Sequence, residues 1–271
     1  FDNLLTGNAG GNVGAAGGGN DTVNAGDGND TLVGGDGIDS LRGGTGNDVY
    51  IDPVGDQIVE LLGEGTDTVQ SSASFSLGAV GNVENLTLTG AAAIDGAGGG
   101  TDNLIVGNVA ANLLDGGGGN DTLSGGDGAD TLAGGVGDDA LNGGLGADLF
   151  RFARGNAGTD TIAGFNKTHD HFDLGGNLFT SLTEAGGSTT LKHAGGSVIV
   201  TGVTGLSLAA WNDLVLPPPA ARFALAASES VARQEMPLAP VWNSHDWHPA
   251  ADAGALAGLP VLLVPVEASA S

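Results

Sequence analysis

Large apolar residues recur in this chain every nine positions, a spacing that matches neither the two-residue period of a strand nor the 3.6-residue period of a helix. Stepping by nine from Ala16 gives AGGGNDTVN, AGDGNDTLV, GGDGIDSLR and GGTGNDVYI, ending at Ile51. Stepping from Gly116 gives GGGGNDTLS, GGDGADTLA, GGVGDDALN and GGLGADLFR, ending at Arg151. All eight rows hold Gly at positions 2 and 4, Asp at position 6 and a large apolar residue at position 8. The first six residues need backbone angles that glycine adopts without a Cβ clash. The last three predict a short strand with its apolar residue, such as Leu32 or Leu132, turned inward. Two rows then complete one turn of eighteen residues, with strands on two faces and loops along two edges. The predicted fold is all-β: a parallel β-roll, or β-solenoid, of nonapeptide repeats with a C-terminal β cap and an irregular tail.

A longer period encloses the short one. Residues 2–32, beginning DNLLTGN, align without gaps to residues 102–132, beginning DNLIVGN, an offset of 100 residues. Weaker rows precede each block, among them GNVAANLLD from Gly107, where Asn112 takes the aspartate position. The chain therefore divides into a first roll block (1–51), an irregular β linking region (52–97), a second block (98–151), a closing β cap (152–216) and a Pro/Ala-rich tail (217–271). Short β-like runs at 67–70 and 85–89 mark the linking region. Ile162, Phe165, Phe172 and Leu174 are the expected cap of the roll's open end. The tail opens on Pro217-Pro218-Pro219 and reads as a linker and a partly helical or disordered segment.

Composition changes the picture in one respect: the core must be thin. Glycine accounts for 52 of 271 residues, about a fifth against a usual share of about 7%. Aromatics make up only 4%, so something besides apolar burial has to hold the chain together. Acidic residues outnumber basic ones 32 to 7, for a net charge of −25. Such a surface repels nucleic acid and anionic membranes and attracts cations. There is no cysteine, which removes disulfides and thiolate metal sites. The apolar run from Ala253 to Val266 is too short to span a bilayer and holds Pro260 and Pro265. A chain that opens on Phe1 reads as a fragment or processed product.

Stacking the turns puts each loop about 4.8 Å from the loop two rows later. Asp21 then lies over Asp39, Asp30 over Asp48, Asp121 over Asp139 and Asp130 over Asp148. Unit charges about 5 Å apart repel by roughly 3 kcal/mol at an effective dielectric near 20. Several such pairs rival a domain's whole stability of about 5–15 kcal/mol. A hard divalent cation between the loops reverses the sign. Calcium accepts six to eight oxygens, whereas magnesium demands a tight octahedron and keeps its water. Nitrogen- and sulfur-preferring metals find no ligands in these rows. A flexible Gly/Asp linker would not keep Asp and an apolar residue in phase through four rows, twice. Several Ca2+ ions, required for folding, are the expected cofactor.

These rows resemble the RTX (repeats-in-toxin) family of hemolysin-type calcium-binding proteins. The resemblance implies a parallel β-roll in which position-6 aspartates bridge successive ions: Asp21, Asp30, Asp39, Asp48, Asp121, Asp130, Asp139 and Asp148. It implies carbonyl donors at the glycines of positions 2 and 4. In the first block these are Gly17, Gly19, Gly26, Gly28, Gly35, Gly37, Gly44 and Gly46; in the second, Gly117, Gly119, Gly126, Gly128, Gly135, Gly137, Gly144 and Gly146. The run GNDVYIDPVGDQIVELLGEGTDTV (46–69) is similar to a recurrent continuation in that family and adds Asp67 as a ligand. DTIAGFNKTHDHFDL (160–174) is similar to the segment that closes the roll; Asp160 is its candidate ligand, and Gly164 stands where the family has an aspartate. Type I secretion is the further implication, with Asp213-Leu214-Val215-Leu216 resembling the acidic-then-aliphatic signal, although 55 residues follow it. The type I machinery is thus an expected partner, the location is extracellular, and the chain folds outside the cell where calcium is abundant.

No catalytic constellation stands out. HExxH, GxSxG, a P-loop and GxGxxG are all missing from the sequence. His169-Asp170-His171 reads as surface polar residues in a turn, and His245-Asp246-Trp247-His248 as part of an anchoring or binding segment. This stretch is therefore expected not to be an enzyme. The leading expectation is a calcium-dependent structural or adhesive region of a surface-layer, adhesin or matrix protein, open to self-association or to a cell-surface glycan or protein partner. The alternative is the C-terminal secretion and folding module of a secreted protease or lipase. Further 100-residue units upstream would favour the first, and a catalytic motif the second.

Overall fold

Position-8 side chains need an interior, and the glycine loops need partners for their backbone groups; coiling the chain meets both needs. A computed structural model describes residues 1–152 and 158–216. The first block contributes β1 (Leu4–Thr6), β2 (Val13–Gly18), β3 (Thr22–Asp27), β4 (Thr31–Asp36), β5 (Ser40–Thr45) and β6 (Val49–Ile51). Residues 52–97 add β7 (Gln57–Ile58), β8 (Thr68–Ser71), β9 (Phe75–Ser76), β10 (Asn85–Leu88) and β11 (Gly96–Ala97). The second block supplies β12 (Leu104–Val106), β13 (Leu113–Gly118), β14 (Thr122–Asp127), β15 (Thr131–Val136), β16 (Ala140–Leu145) and β17 (Leu149–Arg151). Next come β18 (Thr159–Ala163), β19 (His171–Asp173), β20 (Ser181–Ala185), β21 (Ser188–Lys192), β22 (Ser197–Thr201) and a six-residue helix α1 (Leu208–Asp213).

Each strand of the roll pairs in parallel with the strand one coil later. Within the blocks the register is eighteen residues, as in Val13↔Thr31 and Leu113↔Thr131. Even-numbered strands from β2 to β18 form one continuous sheet, which continues into β22, β21 and β20. Odd-numbered strands form two shorter sheets, β1-β3-β5-β7 and β9-β11-β13-β15-β17-β19. The sequence-irregular residues 52–97 therefore carry coils of the same solenoid, with β8 and β10 joining β6 to β12. The strands matched by the 100-residue offset, β1–β6 and β12–β17, fall in opposite sheets. β3 lies in the four-stranded sheet, while its counterpart β14 lies in the twelve-stranded one.

Strands are longer than the three residues expected. A typical one, Thr31–Asp36, covers positions 7–9 of one row and 1–3 of the next. The added pairing runs through glycine: Gly17↔Gly35 lie opposite each other across adjacent coils. Gly35 has φ +104°, and a Cβ there would collide with the Gly17 carbonyl. The close approach of coils, as well as the left-handed backbone, therefore demands glycine. We predict that Gly35→Ala lowers stability by about 1–3 kcal/mol, measured by thermal denaturation in calcium. Gly55→Ala, at φ +96° but with open space around it, should lose less, because it meets backbone strain without the clash.

The core is a single file of position-8 residues, among them Leu32, Leu41, Leu123 and Leu132, all buried. The file widens at the C-terminal end into an aromatic cap. Phe165 stacks on Phe172 with ring centroids 4.9 Å apart, and Phe179 meets Phe172 edge-on at 5.0 Å. Trp211 of α1 lies 5.7 Å from Phe165. Ile162, Phe165, Phe172 and Leu174 are all buried in this cap. The antiparallel pairs β20–β21 and β21–β22 end the parallel stacking. Val215 bridges to Phe172, and the Leu216 N–H donates to the Phe172 carbonyl at 2.8 Å. The Asp213–Leu216 run is thus built into the cap. Among the described residues no helix is long and apolar enough to cross a membrane. The tail at 217–271, with His245, Trp247 and His248, lies outside the described residues.

Candidate metal centre

In every row the position-6 aspartate precedes a strand and turns beneath its own loop. In the six rows that open on glycine, that residue leaves room for it, since a Cβ on Gly134 would collide with the Asp139 carboxylate and one on Gly143 with Asp148; the first two rows open on Ala16 and Ala25. All eight aspartates at position 6 are buried. The backbone N–H of each donates to the Oδ1 of the acidic residue one coil later. Asp21 and Asp30 reach Asp39 and Asp48 at 2.7 Å, Asp121 reaches Asp139 at 2.8 Å, and Asp130 reaches Asp148 at 3.0 Å.

These bonds satisfy one oxygen of each carboxylate and leave the other bare. The Oδ2 atoms of Asp21, Asp30, Asp39, Asp48, Asp121, Asp130, Asp139 and Asp148 are buried without a hydrogen-bond partner. A buried, unpaired carboxylate oxygen costs several kcal/mol unless a counter-charge meets it. Burial pushes the Asp121 and Asp130 carboxyls up to about 6, with the repulsion of Asp139 and Asp148 adding to the shift. The Asp48, Asp139 and Asp148 carboxyls are likewise raised, chiefly by desolvation.

Glycine carbonyls occupy the same gap between coils. All sixteen glycines at positions 2 and 4 have positive φ. The carbonyls of Gly17, Gly19, Gly26 and Gly28 each point into the space that a Cβ on the glycine eighteen residues later would fill; those of Gly117, Gly119, Gly126 and Gly128 do the same. Gly35, Gly37, Gly44 and Gly46, with Gly135, Gly137, Gly144 and Gly146, are the glycines they face. The donor set is therefore all oxygen, carboxylate and carbonyl, as suits hard cations of calcium's size. Bare buried carboxylate oxygens are the mark of a site built for such an ion.

The acidic columns extend beyond the rows. Asp48 donates its N–H to Asp67 Oδ1 at 2.8 Å, and Asp67 donates to Glu84 Oε2 at 2.8 Å. Asp39 donates to Asp56, Asp139 to Asp160 and Asp148 to Asp170. Burial raises the Asp67 carboxyl to about 6 and that of Asp160 to about 7. Asp67 and Asp160, expected as ligands, continue the two acidic columns beyond the rows. Asp56, Glu84 and Asp170 were missed, because they follow their neighbours at offsets of 17, 17 and 22 residues. Asp170 needs correction: it is buried and accepts the Asp148 N–H, while His169 beside it is exposed as a surface turn residue should be. At the upstream end of each column an asparagine stands in for aspartate: Asn3, Asn12, Asn103 and Asn112 donate their N–H groups to Asp21, Asp30, Asp121 and Asp130. One buried group departs from the columns. Carboxylate oxygens of Asp48, Glu60 and Asp67 lie within 4.8 Å of one another.

A parallel solenoid with stacked carboxylates between glycine loops defines a calcium-binding β-roll. The family comparison gives the same class: residues 6–41, 33–49, 97–132 and 115–150 match the RTX calcium-binding nonapeptide repeat. The chain carries four copies of that repeat. Among solved structures, the AlgE6R3 subunit of the mannuronan C5-epimerase from Azotobacter vinelandii is similar at 28% identity. That match covers 56% of this chain and 93% of that one, with a TM-score of 0.36. The extracellular lipase LipA from Serratia marcescens is similar at 20% identity, over 80% of this chain and 40% of the lipase, with a TM-score of 0.34. No curated protein matches the sequence.

Proposed function

We propose that this chain is a calcium-dependent structural or adhesive region of an extracellular protein, a roll that folds when calcium fills the gaps between its coils. The observation that carries the reading is the set of eight buried, partnerless aspartate oxygens. In water of low calcium content those charges oppose folding; outside the cell, calcium offsets them. The ligands are the position-6 aspartates with Asp67 and Asp160, completed by the glycine carbonyls named above. Export by a type I secretion system in an unfolded, calcium-poor form fits this dependence, since RTX repeats are typical of secreted proteins. A structural or adhesive role is supported by the 100-residue duplication and by a sequence without catalytic motifs.

The test is circular dichroism and small-angle scattering of the chain during a calcium titration, with magnesium as control. The expected result is a cooperative gain of β structure and compaction that calcium produces and magnesium does not. A chain whose β content, compaction and stability at neutral pH are the same in chelator as in calcium would overturn the reading. Light scattering in calcium tests the assembly role: monomers alone would count against self-association.

A further inference from the structure

Glu60 belongs to no nonapeptide row, yet it is 7% exposed and its Oε2 has no partner. Two residues before it, Ile58 closes β7 and fills the core. The Val59 N–H donates to the Leu41 carbonyl at 2.8 Å, and Asn82 Nδ2 donates to the Glu60 carbonyl at 3.0 Å, so the backbone on either side is fixed. The side chain is fixed as well. Tyr50 donates its hydroxyl proton to Glu60 Oε1 and accepts the Gly43 N–H at 2.8 Å. Tyr50 stands at position 8, where other rows carry an aliphatic residue or Phe150, and its hydroxyl is what the phenyl ring lacks.

Tyr50 holds Oε1, and Oε2 is left without a partner. One oxygen from each of the three carboxylates lies within 4.8 Å of the other two, all in buried residues. Oxygens this close can converge on one ion at about 2.3–2.6 Å with small side-chain shifts. Asp48 Oδ2 is also without a partner. Arg42, the cation nearest in sequence, is paired to Glu64 at 2.9 Å. The cluster thus concentrates three carboxylates where an ordinary gap between coils has two.

We propose that the cation between Asp48 and Asp67 takes Glu60 as a third carboxylate ligand, making this the tightest calcium site and the first to fill. It lies where the regular rows of the first block give way to residues 52–97, so its occupancy would anchor the irregular coils onto the regular ones. Tyr50 is the positioning residue. The inference rests on the reading of the roll as calcium-binding, and adds a ligand and an order of filling that the nine-residue rule does not contain. Ligand charge sets affinity in oxygen-coordinated calcium sites, hence the expected rank.

The experiment counts ions by native mass spectrometry of the full chain across calcium buffers from chelator to millimolar. The wild-type chain should bind one ion about tenfold or more tightly than the rest. In Glu60→Gln, which mimics a protonated Glu60, that step should weaken by about tenfold or more, with later steps unchanged. Tyr50→Phe should weaken the same step to a smaller degree. A Glu60→Gln titration that superposes on the wild type overturns the proposal, because it means that a shared proton suffices for the cluster. Should Glu60→Gln fail to fold in calcium, Tyr50→Phe decides: one weakened step supports the site, and an unchanged titration overturns it. A wild-type chain that binds no calcium would instead overturn the calcium-binding reading itself.

Discussion

In chelator the folded roll will lose stability as pH rises from about 4 to about 7, and in saturating calcium the slope will change sign. Burial holds the carboxyls of Asp67, Asp121 and Asp130 at about 6 and those of Glu60 and Asp160 at about 7. In the unfolded chain such groups ionise near 4. Between those values the folded state keeps protons that the unfolded state has released. The linkage sign follows: stability is greatest below about pH 4, falls through the window and levels off above about pH 7. Each group contributes a slope of about 1.4 kcal/mol per pH unit within its own window. Even with neighbours partly sharing protons, the loss reaches several kcal/mol, comparable with a domain's net stability. Calcium needs the deprotonated carboxylates and competes with those protons, so the loaded roll gains stability over the same range. Urea denaturation at pH 4.5, 5.5 and 7, in chelator and in calcium, reads both slopes. A flat profile in chelator would mean that the columns are neutralised by something other than protons.

Asp130→Asn will shift stability in opposite directions under the two conditions. Asp130 Oδ1 accepts the Asn112 N–H at 2.7 Å, a bond that an amide oxygen can also accept. In chelator the substitution removes a desolvated charge and its repulsion with Asp148, which should raise stability by on the order of 1–2 kcal/mol. In calcium the same change deletes an anionic ligand. An ion present at a hundredfold over its dissociation constant contributes about 2.7 kcal/mol, so losing one should cost about that much. The molecule already shows that an amide fits: Asn112 holds the equivalent place and donates its Nδ2 to the Ile94 carbonyl at 2.6 Å. Melting temperatures of the two chains, each with chelator and with calcium, give the four values needed. Shifts of the same sign in both conditions would remove position 130 from the ion's ligands.

Most of what the sequence disclosed, and most of what it hid, traces to phase. Position 6 and position 8 keep an eighteen-residue coil through each block, so the stacking of Asp21 on Asp39 and the inward turn of Leu32 could be read directly. Outside the blocks the coil length varies: Asp67 follows Asp48 by 19 residues and Asp170 follows Asp148 by 22. The extra residues are taken up between strands while pairing is preserved, as in Ile51↔Gln70 and Phe150↔Phe172. A strict period therefore loses the track although the hydrogen bonds continue. Glu60 was hidden for a different reason. Its placement depends on a hydroxyl ten residues away, and the only trace of that in the sequence is a tyrosine where most rows have an aliphatic residue. Position-1 glycines were credited only with backbone freedom, whereas Gly134 and Gly143 also leave room for the Asp139 and Asp148 carboxylates.

The 100-residue offset joins β1–β6 to β12–β17 across opposite sheets. An odd number of half-coils separates the copies, so any recognition patch written into the duplicated unit looks outward in opposite directions from its two occurrences. The solvent-facing Asn24 of β3 and Ser124 of β14 are such a pair. Two patches on opposite sides of a stiff roll cannot grip one flat surface together, and the gain from paired binding on a single surface is lost when geometry forbids it. They can instead hold two surfaces apart by the thickness of the roll. Duplication at this offset presents the repeated unit on two opposite faces of the roll, where an even number of half-coils would have presented it on one.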